Sequence, residues 1–100
     1  MPDYAFFRGG VELGALTFKG SDFPWHQGTF SPTADFEDAR PLFDNLFASV
    51  NGGEGDFDEI WNRIIEPGVY LQSLHDGERF DKFILHIRRG GFRLRILDSP

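Results

Sequence analysis

The chain has no cysteine among its 100 residues, which removes disulfides, thiolate metal ligands and cysteine nucleophiles together. Its three histidines, His26, His75 and His86, show neither His-x-His nor His-Glu-x-x-His spacing, so no metal motif is read. The acidic run NGGEGDFDE departs from the ligand and glycine order of an EF-hand, and no glycine-rich segment ends in the Gly-Lys-Ser/Thr of a phosphate loop. No apolar run approaches the roughly 18 residues that a membrane span needs. The opening residues MPDYAFFRGG lack a basic segment followed by an apolar one, so no secretory signal is read there. These absences lead to the expectation of a soluble, cytoplasmic protein with no membrane association, no metal and no cofactor.

What is present points to a single domain over residues 1–100. A chain of this length buries somewhat over 60% of the surface its unfolded form exposes. Hydrophobic residues make up 40% of it and twelve of them are Phe, which is too rich for a disordered chain and predicts an aromatic core. The net charge of −6 is unevenly spread. Between Thr33 and Glu66 nine acids stand against Arg40 and Arg63, whereas from Arg79 to Arg95 six cations stand against Asp81. The molecule is therefore expected to be acidic in its middle and basic at its C-terminal end.

Hydrophobic periodicity divides the chain into strands, helices and strands. Tyr4 to Arg8 and Val11 to Phe18 read as a hairpin about Gly9-Gly10, and Trp25 to Phe30 reads as a third strand that stops before Pro32. Phe36, Phe43, Leu46, Phe47 and Val50 then recur at helical spacing, with Thr33 as a cap. Pro41 restricts the main helix to about 39–50 after a short turn at 34–38, with Asn51 or Gly52 closing it. A second helix starts at Asp56, whose Asp-x-x-Glu pattern with Glu59 resembles a capping box. It carries Phe57, Ile60, Trp61, Ile64 and Ile65 on one face and stops at Pro67-Gly68. Val69 to Leu74, Asp81 to Arg88 and Gly91 to Leu97 complete the pattern as strands. The expected fold is α+β, with antiparallel β-hairpins flanking two central helices in the order β-β-β-α-α-β-β-β.

Two Arg-Gly-Gly triplets, at residues 8–10 and 89–91, raise the question of nucleic-acid binding. Both sit inside apolar alternation, where a double glycine is explained by hairpin geometry alone. In the second, Phe83, Leu85 and Ile87 must share a face with Phe92, Leu94 and Ile96, which requires an even loop: Gly90-Gly91 or Arg89-Gly90. Either choice puts His86, Arg88, Arg93 and Arg95 together on the opposite face. The Gly90-Gly91 register sets Arg88 against Arg93, a like-charge pair that calls for compensation from acids of the chain or from an acidic partner. The net negative charge weighs against nucleic acid and toward an acidic protein surface.

A second candidate is the corner SDFPWHQGTF, where Asp22, Trp25 and His26 combine an acid, an aromatic ring and a base about a rigid Pro. It is the alternative site, suited to a small enzyme or an anionic-ligand-binding protein; the plainer reading has Phe23, Trp25 and Phe30 plugging the end of the core while Asp22 caps a turn. The same region, GALTFKGSDFPWHQGTFSPTADFEDARPLF, resembles a pattern of small uncharacterised bacterial proteins: Asp-Phe-Pro-Trp, Gly-x-Phe-x-Pro, then Pro-Leu-Phe. That resemblance covers about thirty residues, implies a bacterial, cytoplasmic accessory role and brings no activity or catalytic residue with it. Its residues Phe23, Pro24, Trp25, Gly28, Phe30, Pro32 and Phe43 read as fold determinants. The functional expectation is a non-enzymatic interaction or accessory module, immunity-type or regulatory, with an edge strand offering a route to a homodimer.

Overall fold

The strands before and after the helices pair with one another and form a single sheet. The computed structural model describes residues 1–22, 24–50 and 55–97, with Asp22 through its backbone only. The strands are β1 (Tyr4–Arg8), β2 (Val11–Asp22), β3 (Trp25–Pro32), β4 (Val69–Ser73), β5 (Arg79–Phe80), β6 (Phe83–Arg88) and β7 (Gly91–Ile96). All pair antiparallel, in the spatial order β5-β4-β1-β2-β3-β7-β6. The fold is thus α+β, but sheet-dominated. Hairpins do not flank central helices as the chain order implied, because β1 pairs with β4 and β3 with β7 across the helical segment.

Helix α1 (Arg40–Val50) follows a 3-10 turn at Ala34–Asp38, so Pro41 falls in its first turn, where its missing N–H is not needed. Thr33 does not cap: its hydroxyl donates to the Glu12 carbonyl at 2.8 Å and ties the turn to β2. Helix α2 (Phe57–Ile65) is capped as its sequence predicts on one side, with the Asp56 carboxylate accepting from the N–H groups of Asp58 and Glu59. The reciprocal half is replaced by a Glu59–Arg63 ion pair at 2.9 Å. The expected cap at Asn51 or Gly52 and the position of Phe23 lie outside the described residues.

One face of the sheet collects Phe6, Leu16, Phe30, Leu71, Leu85 and Leu94, all at most 3% exposed, and α1 closes over it with Phe43 and Leu46. The predicted aromatic core is present as edge-on contacts, Phe6 lying against both Phe43 and Phe83 at ring separations of 6.0 and 6.1 Å. The first Arg-Gly-Gly is a hairpin turn with positive φ at Gly9 and Gly10. Its arginine serves the fold, because Arg8 shares the face of Phe6 and donates to the carbonyls of Ile64 and Arg63, at the end of α2 that has no helical partners.

The junction of β2, β3 and β7 depends on one missing side chain. A bulge in β2 between Phe18 and Gly20 brings its backbone against Gly28, so that a Cβ at Gly28 would collide with the Thr17 carbonyl. Gly91, its neighbour on β7, is different: a Cβ there meets nothing nearer than 3.5 Å, and its φ is not in the left-handed region. Gly28→Ala is therefore expected to destabilise the protein by about 2 kcal/mol or more, and Gly91→Ala by less than about 1 kcal/mol. Urea denaturation of the two variants checks this, and equal losses would refute it.

Candidate functional site

The two predicted sites rearrange into one. Side chains alternate along a strand, so Trp25 and His26 cannot share a face. His26 lies on the core side, stacked on Phe18 at 5.0 Å with the rings nearly parallel, while Trp25 lies on the outer face of the sheet. The corner proposed from Asp22, Trp25 and His26 is therefore split, and the side chain of Asp22 lies outside the described residues. Nor does Trp25 plug the core: it is half-buried and lines a surface cleft.

The hairpin of β6 and β7 turns at Arg89-Gly90, with φ of 51° and 76°. In this register Arg88 stands opposite Gly91 and Arg93 opposite His86, so the Arg88–Arg93 clash does not arise. His86, Arg88, Arg93 and Arg95 do share the outer face, and β3 brings Trp25 beside them. The Arg93 guanidinium lies over the Trp25 ring at 4.9 Å, and the Trp25 and His86 rings are 5.6 Å apart. Across the hairpin, Arg88 lies over the Phe47 ring of α1 at 3.8 Å.

These residues frame a cleft of about 360 Å³. The sheet contributes Trp25 of β3 with His86, Arg88, Gly91, Phe92 and Arg93 of the β6–β7 hairpin, and α1 contributes Phe47 and Val50. Val50 is 54% exposed. Past the ridge made by Arg88 and Phe47 runs a second, more polar groove of about 520 Å³, bounded by Arg40, Asp44, Ala48 and Arg89. Arg95 shares the outer face but does not line the cleft.

Electrostatically the site is unbalanced. Among the described residues no carboxylate lies within ion-pairing distance of Arg88, Arg89, Arg93 or Arg95, although Arg40 and Arg63 each have one. The charge of Arg88 and Arg93 is met instead by aromatic faces, an interaction worth about 0.5–1 kcal/mol at exposed sites. Contact with a ring face uses none of a guanidinium's five N–H donors as a conventional hydrogen bond to an acid. Burial, reinforced by the nearby Arg93 charge, holds His86 below the ordinary histidine value of 6.5. Both causes bias its imidazole toward the neutral form.

Sequence reasoning placed the arginines on one face but missed Phe47 and Val50 as site residues, because both fell on the helical face taken as core. No family model matches the chain, and comparisons with curated proteins and with solved structures also found no match.

The His86 geometry carries a pH prediction. Because its folded value is depressed, its contribution to stability is fully present above about pH 6.5 and is lost as pH falls through the lowered folded value. Wild-type protein should lose thermal stability more steeply than His86→Gln between about pH 7.5 and pH 5.5. Parallel curves for the two proteins would refute the assignment.

Proposed function

We propose that this protein is a non-enzymatic binding module whose outer β6–β7 face receives an acidic protein surface. One observation carries this reading: arginines on that face have no acidic partner among the described residues, yet two of them are held in place on aromatic rings. Arginines that form no internal pair and have lost part of their rotamer freedom meet an incoming carboxylate at reduced entropic cost. Their planar forks suit bidentate contact with carboxylates. A net charge of −6 disfavours a long nucleic-acid polyanion and leaves local attraction to a protein surface as the better match. No helix among the described residues is long and apolar enough to cross a membrane, and the proposed setting is the bacterial cytoplasm, in an accessory or regulatory role.

A second reading takes its support from the cleft itself. At about 360 Å³ it falls in the lower part of the roughly 300–1,000 Å³ range of small-ligand sites, so a small aromatic anion is the alternative occupant.

The test is affinity capture with wild type beside the double variant Arg88→Glu, Arg93→Glu, whose folding is verified by circular dichroism and melting. A partner held in equimolar amount by wild type, confirmed with purified components, should bind the variant at least about tenfold more weakly. Unchanged binding, or no partner for either protein, would overturn the reading.

A further inference from the structure

Gly91 lacks any backbone reason to be glycine. Its φ is ordinary, and a Cβ would meet only the Arg88 and Gly28 carbonyls at 3.5 and 3.6 Å, which is normal contact. Gly91 is the first residue of β7, paired with Arg88, a position where a side chain would reduce the entropy of the unfolded chain and add packing. What its missing side chain does is keep the cleft open between Arg93 and Arg88. The space is lined by Trp25, Phe47 and Val50 together with Arg93, which lies over the Trp25 ring, and Arg88, which lies over the Phe47 ring. It is apolar in the middle and cationic at the margins.

The second groove bears on what shape fits. The two hollows meet at the Arg88–Phe47 ridge, and both are bounded by those two residues. In the second, Arg40 is already held by Glu37, so Arg88 and Arg89 face the single carboxylate of Asp44. An occupant that satisfies both hollows is extended, with an apolar group in the first and negative charge running past the ridge into the second. A compact metabolite fills only one.

We propose that the cleft takes an aromatic side chain presented on a short, extended acidic segment of a partner protein, with carboxylates before and after it meeting Arg93 and Arg88. This rests on the reading of the β6–β7 face as a partner surface and names the chemistry of what binds there. The aromatic group supplies buried area and the carboxylates supply register, the division of labour seen when an apolar anchor is ringed by polar contacts.

The probe is the blocked heptapeptide Glu-Asp-Glu-Phe-Glu-Asp-Glu, titrated into the full chain and followed by the amide and indole signals of its ¹H–¹⁵N spectrum. Saturable shifts centred on Trp25, His86 and Gly91 are expected. Replacing the peptide Phe by Ala should weaken binding at least about tenfold, the loss that follows from leaving one aromatic ring unburied. Gly91→Val, which fills the cleft and leaves every charge in place, should weaken the Phe peptide equally and the Ala peptide hardly at all. Equal binding of the Phe and Ala peptides, or indifference to Gly91→Val, would overturn the anchor. Tighter binding of a thymidine oligonucleotide of equal charge, or full competition by phenylacetate at the peptide's own concentration, would overturn the acidic segment. If no peptide binds while Arg88→Glu, Arg93→Glu still abolishes partner capture, the occupant chemistry fails and the face stands. Capture that survives those substitutions removes the face itself.

Discussion

Strand β3 is hydrogen-bonded to β2 on one side and β7 on the other, and both the core and the cleft depend on that junction. Contact between segments more than sixty residues apart joins the N-terminal hairpin to the C-terminal one through β3 and β7, while on the other side of β3 Gly28 lets the bulged β2 backbone come close. On the core side the junction sets Phe18 and Phe92 on either side of Gly28, their rings 5.8 Å apart, with Ile87 paired to Phe92. On the outer side it delivers Trp25 to Arg93 and His86. The pairing of one strand, β3, thus serves the hydrophobic interior and the candidate site at once, on opposite faces.

The arginines show how one residue type is put to different uses by its position in this sheet. Arg8, at the end of β1, reaches beneath the sheet to the carbonyl end of α2, where its donors satisfy groups that the helix cannot. Arg40 and Arg63 make short-range pairs with Glu37 and Glu59 that are open to solvent and contribute little to stability. Arg88 and Arg93 have rings instead of acids. The hairpin register favours that outcome, since Arg88 opposite Gly91 avoids the repulsion that the alternative turn imposes. It does so with Arg89 at positive φ, a conformation that costs a non-glycine residue about 1–2 kcal/mol. Relief of the Arg88–Arg93 repulsion and the pairing of Ile87 with Phe92 are the compensations that the structure displays.

Local chemistry in the sequence accounts for most elements. The hairpin glycines, Pro41 in a first turn, Asp56 as a cap and the period-two apolar rows all have short-range physical causes, and each lies where those causes place it. What has no short-range cause was not legible. The pairing of β3 with β7 depends on complementary faces far apart in the chain, and the two-residue β5 has too few positions to show a period. The shared face of His86, Arg88, Arg93 and Arg95 followed from alternation alone. The same rule separates Trp25 from His26, so that pairing was excluded by their adjacency within a strand. Phe47 and Val50 misled for a different reason: helical periodicity identifies an apolar stripe but not how far the sheet extends to cover it. Here the stripe outruns β6, and its last turn becomes a wall of the cleft.

That overrun gives the cleft its character. A helix end whose Val50 is more than half exposed, set beside a sheet face rich in arginine, combines two features that are each unfavourable in isolation. Uncovered apolar surface loses hydration free energy, and neighbouring like charges repel. Placing the arginine stems and guanidinium planes against the rings reduces both costs, because each ring is partly covered and each cation is held apart from the next. His86 between them is biased toward its neutral form, which disfavours a further positive charge at the site. The relief is partial: Val50 remains more than half exposed, and Arg88 and Arg93 have no carboxylate within ion-pairing distance among the described residues. Both remaining costs fall together when one molecule brings an apolar group and carboxylates to the same place.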